Sequence, residues 1–293
     1  MADATVIELD RLPAIVPTYL RAALTFSGGL GPDATIPDIE CRVPGVSIDP
    51  DLLQRYAEVC GFPPDSGDVP ITLPHVLVFP VHMAVLTHRE FPLKLLGLVH
   101  VRNRITQYRA PVVGEALDLA VRVGGHRDVH NGIEFDMETV MADASGNTVW
   151  DSTSTMLSRG GGKGRRSGRG DKSPPAVPEQ GRYGRWEAPA DIGRRYAGVA
   201  GDVNPIHLSP LSAKLFGFPR AIAHGMWLKA RAAAEIQADL PDGAHTLDVA
   251  FKRPVLLPGS VMLKYDPGES GIDFALIKPD SDTVHMVGSV RRA

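Results

Sequence analysis

Asp202, Asn204 and His207 place a carboxylate, a carboxamide and an imidazole within one short stretch, Tyr196 to His207, reading YAGVAGDVNPIH. An Asp/His pair is suited to general acid/base work, because each group can give or take a proton near neutral pH once its surroundings tune it. Asn204 can orient a partner or a substrate oxygen without titrating. A second signal follows at Ala223-His224-Gly225-Met226, the opening of an apolar helix. Free backbone N–H groups and the helix dipole favour negative charge there, and a glycine lets a carbonyl oxygen approach the backbone closely. Together the two motifs describe an acid/base site with an oxyanion donor.

Each motif also has a plainer reading. Asp202 can cap backbone amides in an Asx turn, with His207 at the surface. Gly225 can serve helix packing, and His224 can be a buried core histidine. It is the pairing of the two motifs that favours chemistry. Metal chemistry is disfavoured: Asp202 and Asn204 could begin a calcium loop, but its remaining ligands and its glycine are missing. No second His/Cys cluster offers zinc ligands, no glycine-rich phosphate loop follows a strand, and no G-x-S-x-G is present.

The elements that must position these residues come from an internal repeat. Tyr196 to Ala200 reads as a short helix ended by Gly201, and Pro205 pushes Asn204 out of the α region, so that Asp202 to Ile206 is expected to be extended or turn-like. The lead-in occurs twice: Arg55-Tyr-Ala-Glu-Val-Cys-Gly61 and Arg195-Tyr-Ala-Gly-Val-Ala-Gly201 lie 140 residues apart. Val81-His-Met-Ala84 matches Ala223-His-Gly-Met226, 142 residues on, and Pro111-Val-Val-Gly114 matches Leu256-Leu-Pro-Gly259, 145 residues on. By these offsets Phe62 and Gly67 stand in the first copy where Asp202 and His207 stand in the second, and Met83 replaces Gly225. The first copy is thus expected to lack the chemistry.

In the first copy a helix from Ile48 to Val59 and an apolar stretch from Ile71 to Arg89 precede four alternating runs, the first beginning near Val101 and the last at Val149 to Leu157. In the second, a helix from Gly225 to Leu240 precedes strands at His245–Arg253, Ser260–Tyr265, Ile272–Ile277 and Val284–Val290. Each copy is an α+β unit with an antiparallel sheet. Residues 159–190, rich in Gly, Ser, Arg, Lys and Pro, read as a flexible basic linker between an N-terminal unit, 1–158, and a C-terminal unit, 191–293. The alternative, a phosphate-binding arm, lacks interleaved aromatics where the charge is densest.

The 293 residues suit two such units, and 43% hydrophobic residues supply a core. A net charge of −3 gives no general attraction to nucleic acid or anionic membrane. Cys41 and Cys60 are too few for a disulfide framework and read as buried thiols. The N-terminal segment carries early charges and two prolines, unlike a signal peptide or a membrane span, so a cytoplasmic protein without membrane insertion is expected. Leu12 to Leu24 reads as an amphipathic segment lying against the body.

YAGVAGDVNPIH followed by AIAHGMW resembles the signature of the MaoC-like dehydratases, the (R)-specific enoyl-CoA hydratases of hotdog fold, with G-D-x-N-P-I-H matching in full. Across both halves the chain resembles the double-hotdog (3R)-hydroxyacyl-thioester dehydratases. Ala200 departs from the small hydroxyl residue common in the family. The resemblance implies two antiparallel sheets, each wrapped around a long central helix and joined into one continuous sheet. It implies reversible hydration of trans-2-enoyl thioesters to (3R)-3-hydroxyacyl thioesters in fatty acid metabolism, with no cofactor and no metal. Asp202 and His207 become the acid/base pair holding a catalytic water, Asn204 the orienting amide and the Gly225 N–H the oxyanion donor. The first copy becomes an acyl-chain pocket, to which Val76 to Leu86 would contribute. The substrate is carried by coenzyme A or acyl carrier protein, and monomer and homodimer are both compatible. The alternative function is a non-catalytic acyl-CoA-binding or regulatory hotdog protein.

Overall fold

The computed structural model describes residues 5–15, 30, 35–63, 67–95, 97–159 and 177–293. Most of the expected linker and of the N-terminal amphipathic segment lie outside the described residues. In chain order the elements are β1 (Thr5–Glu8), β2 (Ile39–Val46), α1 (Pro50–Cys60), α2 (Pro74–Leu86), β3 (Leu98–Gln107), β4 (Leu117–Val129), β5 (Gly132–Ala142), β6 (Thr148–Arg159) and β7 (Arg182–Ala188). They continue with α3 (Ile192–Ala200), α4 (Pro205–Leu208), α5 (Pro210–Leu215), α6 (Gly225–Glu235), a 3-10 turn (Gln237–Asp239), β8 (His245–Phe251), β9 (Gly259–Gly268), β10 (Gly271–Ile277) and β11 (Val284–Arg292). None of the described helices is long and apolar enough to cross a membrane.

Two compact units emerge, and they do not follow chain order. The first gathers 1–47, 77–103 and 115–172. Its strands run β1-β2-β4-β5-β6, with the first half of β3 beside β6. All pairings from β2 to β6 are antiparallel, and β1 joins β2 in parallel. The alternation is visible on β4 and β5, where Leu119, Val121 and Val123 and then Phe135, Met137 and Met141 are buried while their neighbours along each strand are more exposed. α2 is apolar all round and mostly buried, and it contains Pro80.

The second unit gathers 48–76, 104–114 and 173–293. From the second half of β3 its strands run β8-β11-β10-β9-β7, antiparallel from β8 to β7. Replacing β2, β4, β5, β6 by β7, β9, β10, β11 reproduces the order of the first unit. The duplication read from short motifs therefore extends to strand order.

Two strands differ from expectation, and they are counterparts. β2 was hidden in a Gly/Pro-rich stretch, yet Ile39, Cys41 and Val43 are buried in alternation. β7 lies inside the segment expected to be linker, 159–190. Gly184, Trp186 and Ala188 face inward between exposed residues, so a strand lies within that segment. In both, the alternation is short and diluted by charge or proline, and pairing with a neighbouring strand supplies what the local pattern lacks.

α1, α3 and α6 meet in the second unit. Asp49 caps α1 by accepting from the Leu52 amide at 2.7 Å. The Trp227 indole N–H donates to the Val59 carbonyl at 2.9 Å, tying α6 to α1. Lys229, fully buried on α6, donates to the Leu247 carbonyl of β8 at 2.9 Å, and its burial pushes the ammonium pKa well down.

Candidate active site

α3 ends as its sequence demands. Gly201 adopts φ 72°, and its N–H closes back onto the Ala197 carbonyl. The next residue is Asp202. Its Oδ1 accepts from the Asn204 amide at 3.1 Å, so the Asx turn forms and holds the carboxylate in place. Asn204 is extended (φ −55°, ψ 124°), as a residue before proline should be. Beyond it the chain departs from expectation: Pro205 opens the short helix α4, and His207 sits on it. Proline at the first helical position and Asn204 at the N-cap, whose Oδ1 accepts from Ile206 N at 3.4 Å, favour a helix over an extended continuation. Gly193 of α3 lies directly beneath, where a Cβ would overlap the His207 carbonyl oxygen.

His207 is buried, and its Nδ1 lies 2.8 Å from the carbonyl oxygen of Ile222. A carbonyl only accepts, so Nδ1 carries the hydrogen and Nε2 of the neutral ring carries the lone pair. Ile222 is itself held, its N–H donating to Ile206 O at 3.1 Å. Burial pushes the His207 pKa down, and the nearby Asp202 carboxylate partly offsets this. The ring is therefore neutral at neutral pH and ready to accept a proton.

The structure adds His224. Its ring stacks on His207 at 3.7 Å between centroids and lies 5.0 Å from the Tyr196 ring. Its Nε2 lies 3.0 Å from the Asp202 backbone carbonyl, which assigns the hydrogen to Nε2, and 3.8 Å from Oδ2 of the same residue. Nδ1 has no hydrogen-bond partner among the described residues. Burial and the neighbouring His207 push the His224 pKa down to about 3. His224 is a neutral clamp that joins the start of α6 to the Asp202 turn. In the sequence it reads equally well as a core histidine, and the A-H-G motif was the one signal for it.

One donor atom from each of Asp202, His207 and His224 lies within 4.8 Å of the others, a set chemically able to bind a metal. The ring geometry argues against that use. Lone pairs lie in the ring planes, and planes stacked with a 26° inclination do not converge at a coordination distance of about 2.1 Å. Gly225, directly after His224, is the first residue of α6, and a Cβ there would sit 3.1 Å from the Phe251 ring. Its backbone thus opens a helix whose first-turn amides have no intrahelical acceptor. Of the four residues expected at the site, Asp202 and His207 come together, and Gly225 adjoins them through His224. Asn204 is engaged through its oxygen in the α4 cap.

The first copy corrects one correspondence. Phe62 follows the Gly61 cap as the repeat requires, but the match of Met83 to Gly225 fails. Met83 lies near the end of α2, which starts at Pro74. Gly61 and Pro74 are 13 residues apart, Gly201 and Gly225 are 24, so a constant offset cannot span this loop. Proline at the helix start also removes an amide donor. Elsewhere, Arg102 pairs with Glu134 at 2.5 Å, and Lys252 and Arg253 line a depression that includes Asp282.

Known proteins resemble this chain in sequence and in fold. The family described as MaoC like domain matches residues 175–267. The chain is 35% identical, over 95% of its own length and 98% of the relative's, to 3-hydroxyacyl-thioester dehydratase X of Mycobacterium tuberculosis. A crystal structure of that protein, HtdX, superposes with a TM-score of 0.74 at 33% identity, covering 87% of this chain and all of that one. A second M. tuberculosis protein, described as having a double hotdog fold, superposes with a TM-score of 0.53 at 13% identity over 85% of this chain and 92% of its own, a likeness of fold alone. The chain belongs to the MaoC-like dehydratase family, with a hotdog fold of mixed α and β structure.

Proposed function

We propose that the protein is a hydro-lyase that reversibly adds water to trans-2-enoyl thioesters, giving (3R)-3-hydroxyacyl thioesters, and removes it in the reverse direction. The observation that carries this reading is the fixed tautomer of His207. Its Nδ1–H is engaged by Ile222 O at 2.8 Å, which leaves a basic Nε2 in a buried site shared with the Asp202 carboxylate. In this reading Asp202 and His207 hold one water. Its oxygen attacks C3 as one of the pair takes the water's proton, and that proton is then delivered to C2 on the same face, leaving the carboxylate and the neutral imidazole as they began. Negative charge building on the thioester oxygen is met by the Gly225 N–H at the positive end of α6. Asn204, its oxygen engaged in the cap, has its NH₂ group available to orient the water or the acid/base pair. The two repeats are two hotdogs, each sheet curled around one helix, α2 in the first and α6 in the second. The degenerate copy, within residues 1–158, accommodates the acyl chain, supported by the apolar character of α2, and β7 together with 191–293 forms the catalytic copy.

The test is hydration of enoyl-CoA substrates of increasing chain length, followed by loss of the conjugated thioester absorbance. Asp202→Asn and His207→Ala are expected to lower kcat by about 10²–10⁴ while folding is kept. Near-normal turnover by both variants, or a wild type inert at every chain length, would overturn the reading.

A further inference from the structure

The longer loop of the second copy, 24 residues from Gly201 to Gly225 against 13 in the first, accommodates α4 and α5. α4 carries His207; α5 has no role in the chemistry above. One side of α5 is pinned to the site: Ala213 is fully buried, and the Ser212 hydroxyl donates to the Pro205 carbonyl of α4 at 2.7 Å. The other side is bare. Leu211 is 77% exposed, Leu215 one turn later 81%, and Phe216 follows at 39%. Side chains four apart on a helix share a face, and an apolar patch of this kind on a folded surface marks a contact site. Along this segment the charge has one sign. From Val203 to Ala223 the chain holds Lys214 and Arg220, both exposed, and no Asp or Glu, in a protein of net charge −3. Arg194, also exposed, reaches over to donate to the Leu208 carbonyl at 3.2 Å.

We propose that this face docks a small acidic protein that delivers the acyl chain on a phosphopantetheine arm, an acyl carrier protein. The proposal rests on the thioester reading and names its carrier. Two leucines one turn apart, flanked by cations, complement an amphipathic acidic helix, with the leucines supplying contact area and the charges steering and register. A second copy of this chain fits poorly, because a two-fold contact brings the same cationic patch against itself. Among the described residues the surface occurs only in the copy that holds Asp202 and His207, and it is braced on the helix that carries the imidazole.

The experiment compares crotonyl-acyl carrier protein with crotonyl-CoA as substrates for the wild type, for Leu211→Ser/Leu215→Ser and for Lys214→Glu. Each variant is expected to lose about tenfold or more in kcat/KM on the carrier protein, through KM, and to stay within about twofold on crotonyl-CoA. Equal losses on both substrates, no loss on the carrier protein, or conversion of a wild-type dimer to monomer by the double variant would each overturn the docking assignment. Calorimetric titration with the holo carrier protein decides docking without turnover. A wild type that binds it through these residues yet hydrates neither thioester would sink the dehydratase reading and leave the docking surface standing.

Discussion

The chain contains two versions of one helix ending. α1 stops at Gly61 and α3 at Gly201, with φ 75° and 72°, and each glycine donates its N–H to the carbonyl four residues back, Ala57 or Ala197. Each helix buries a tyrosine at the same place, and the Tyr56 and Tyr196 rings lie 6.4 Å apart. After the glycine the two part. Phe62 is buried and stacks on Tyr56 at 6.2 Å, whereas Asp202 folds onto the Asn204 amide and keeps 26% of its side-chain exposure. The backbone that aims residue 202 into the site is thus not what makes the site. One side chain after a shared cap decides whether that direction serves apolar packing or presents a carboxylate to two histidines.

The strongest challenge to this comparison moves the carboxylate across. Phe62→Asp removes a buried ring and places a charge among apolar neighbours, and is expected to cost about 4 kcal/mol or more of stability in a denaturant titration. It is not expected to restore turnover to Asp202→Asn. A Phe62→Asp protein of undiminished stability would show that the first copy still accepts a charged group.

A smaller effect separates two buried histidines, one per copy. His82 of α2, hydrogen-bonded to Thr139 at 3.0 Å, and His224 both have pKa values pushed down to about 3, chiefly by burial. The folded forms stay neutral while the unfolded forms take up a proton near pH 6.5. Neither titration affects stability above that pH, and each subtracts about 1.4 kcal/mol per pH unit below it until the folded form itself titrates. His82→Gln and His224→Gln are each expected to recover about 2 kcal/mol of the stability lost between pH 6.5 and 5, read from denaturant midpoints across that range. Only His224→Gln is expected to lower kcat, by about tenfold to a hundredfold, because its ring supports His207 and its Nε2–H holds the Asp202 turn. Equal activity losses from both would erase the distinction between the copies.

The smallest effect belongs to the caps. Gly61→Ala and Gly201→Ala each place a Cβ in the left-handed region, at a cost of about 1 kcal/mol. At Gly61 the new Cβ would also lie 3.0 Å from the movable Arg231 side chain. Thermal denaturation should therefore rank the two close together. Enoyl-CoA hydration should fall only for Gly201→Ala, whose strain is passed directly to Asp202.

The features legible in sequence are those written in a few consecutive residues. The Gly201 cap, the Asn204-Pro205 junction and the Asp/His pair are local decisions of the backbone, and they could be read without knowledge of the fold. β2 and β7 could not, because Pro44 and Gly45 interrupt the first and four charged or aromatic exposed residues surround the inward positions of the second. Their order comes from β4 and β9, distant in sequence. The helix start at Pro74 was displaced by a short sequence match at His82 that ignored the shorter loop before it. His224 is visible in the A-H-G motif, but its work depends on stacking against a residue 17 positions away.

The acceptor that fixes the His207 tautomer is the main-chain oxygen of Ile222, in a segment bonded to Ile206 on one side and, through its neighbours, to Val255 and Leu257 on the other. No substitution of the side chain at 222 deletes that oxygen. Alanine scanning would pass over the position and record a few apolar contacts. This partner of the imidazole leaves no mark in residue identity. Its importance would surface only in changes that move the main chain itself, such as an insertion between Ala221 and Ala223 or an ester in place of an amide.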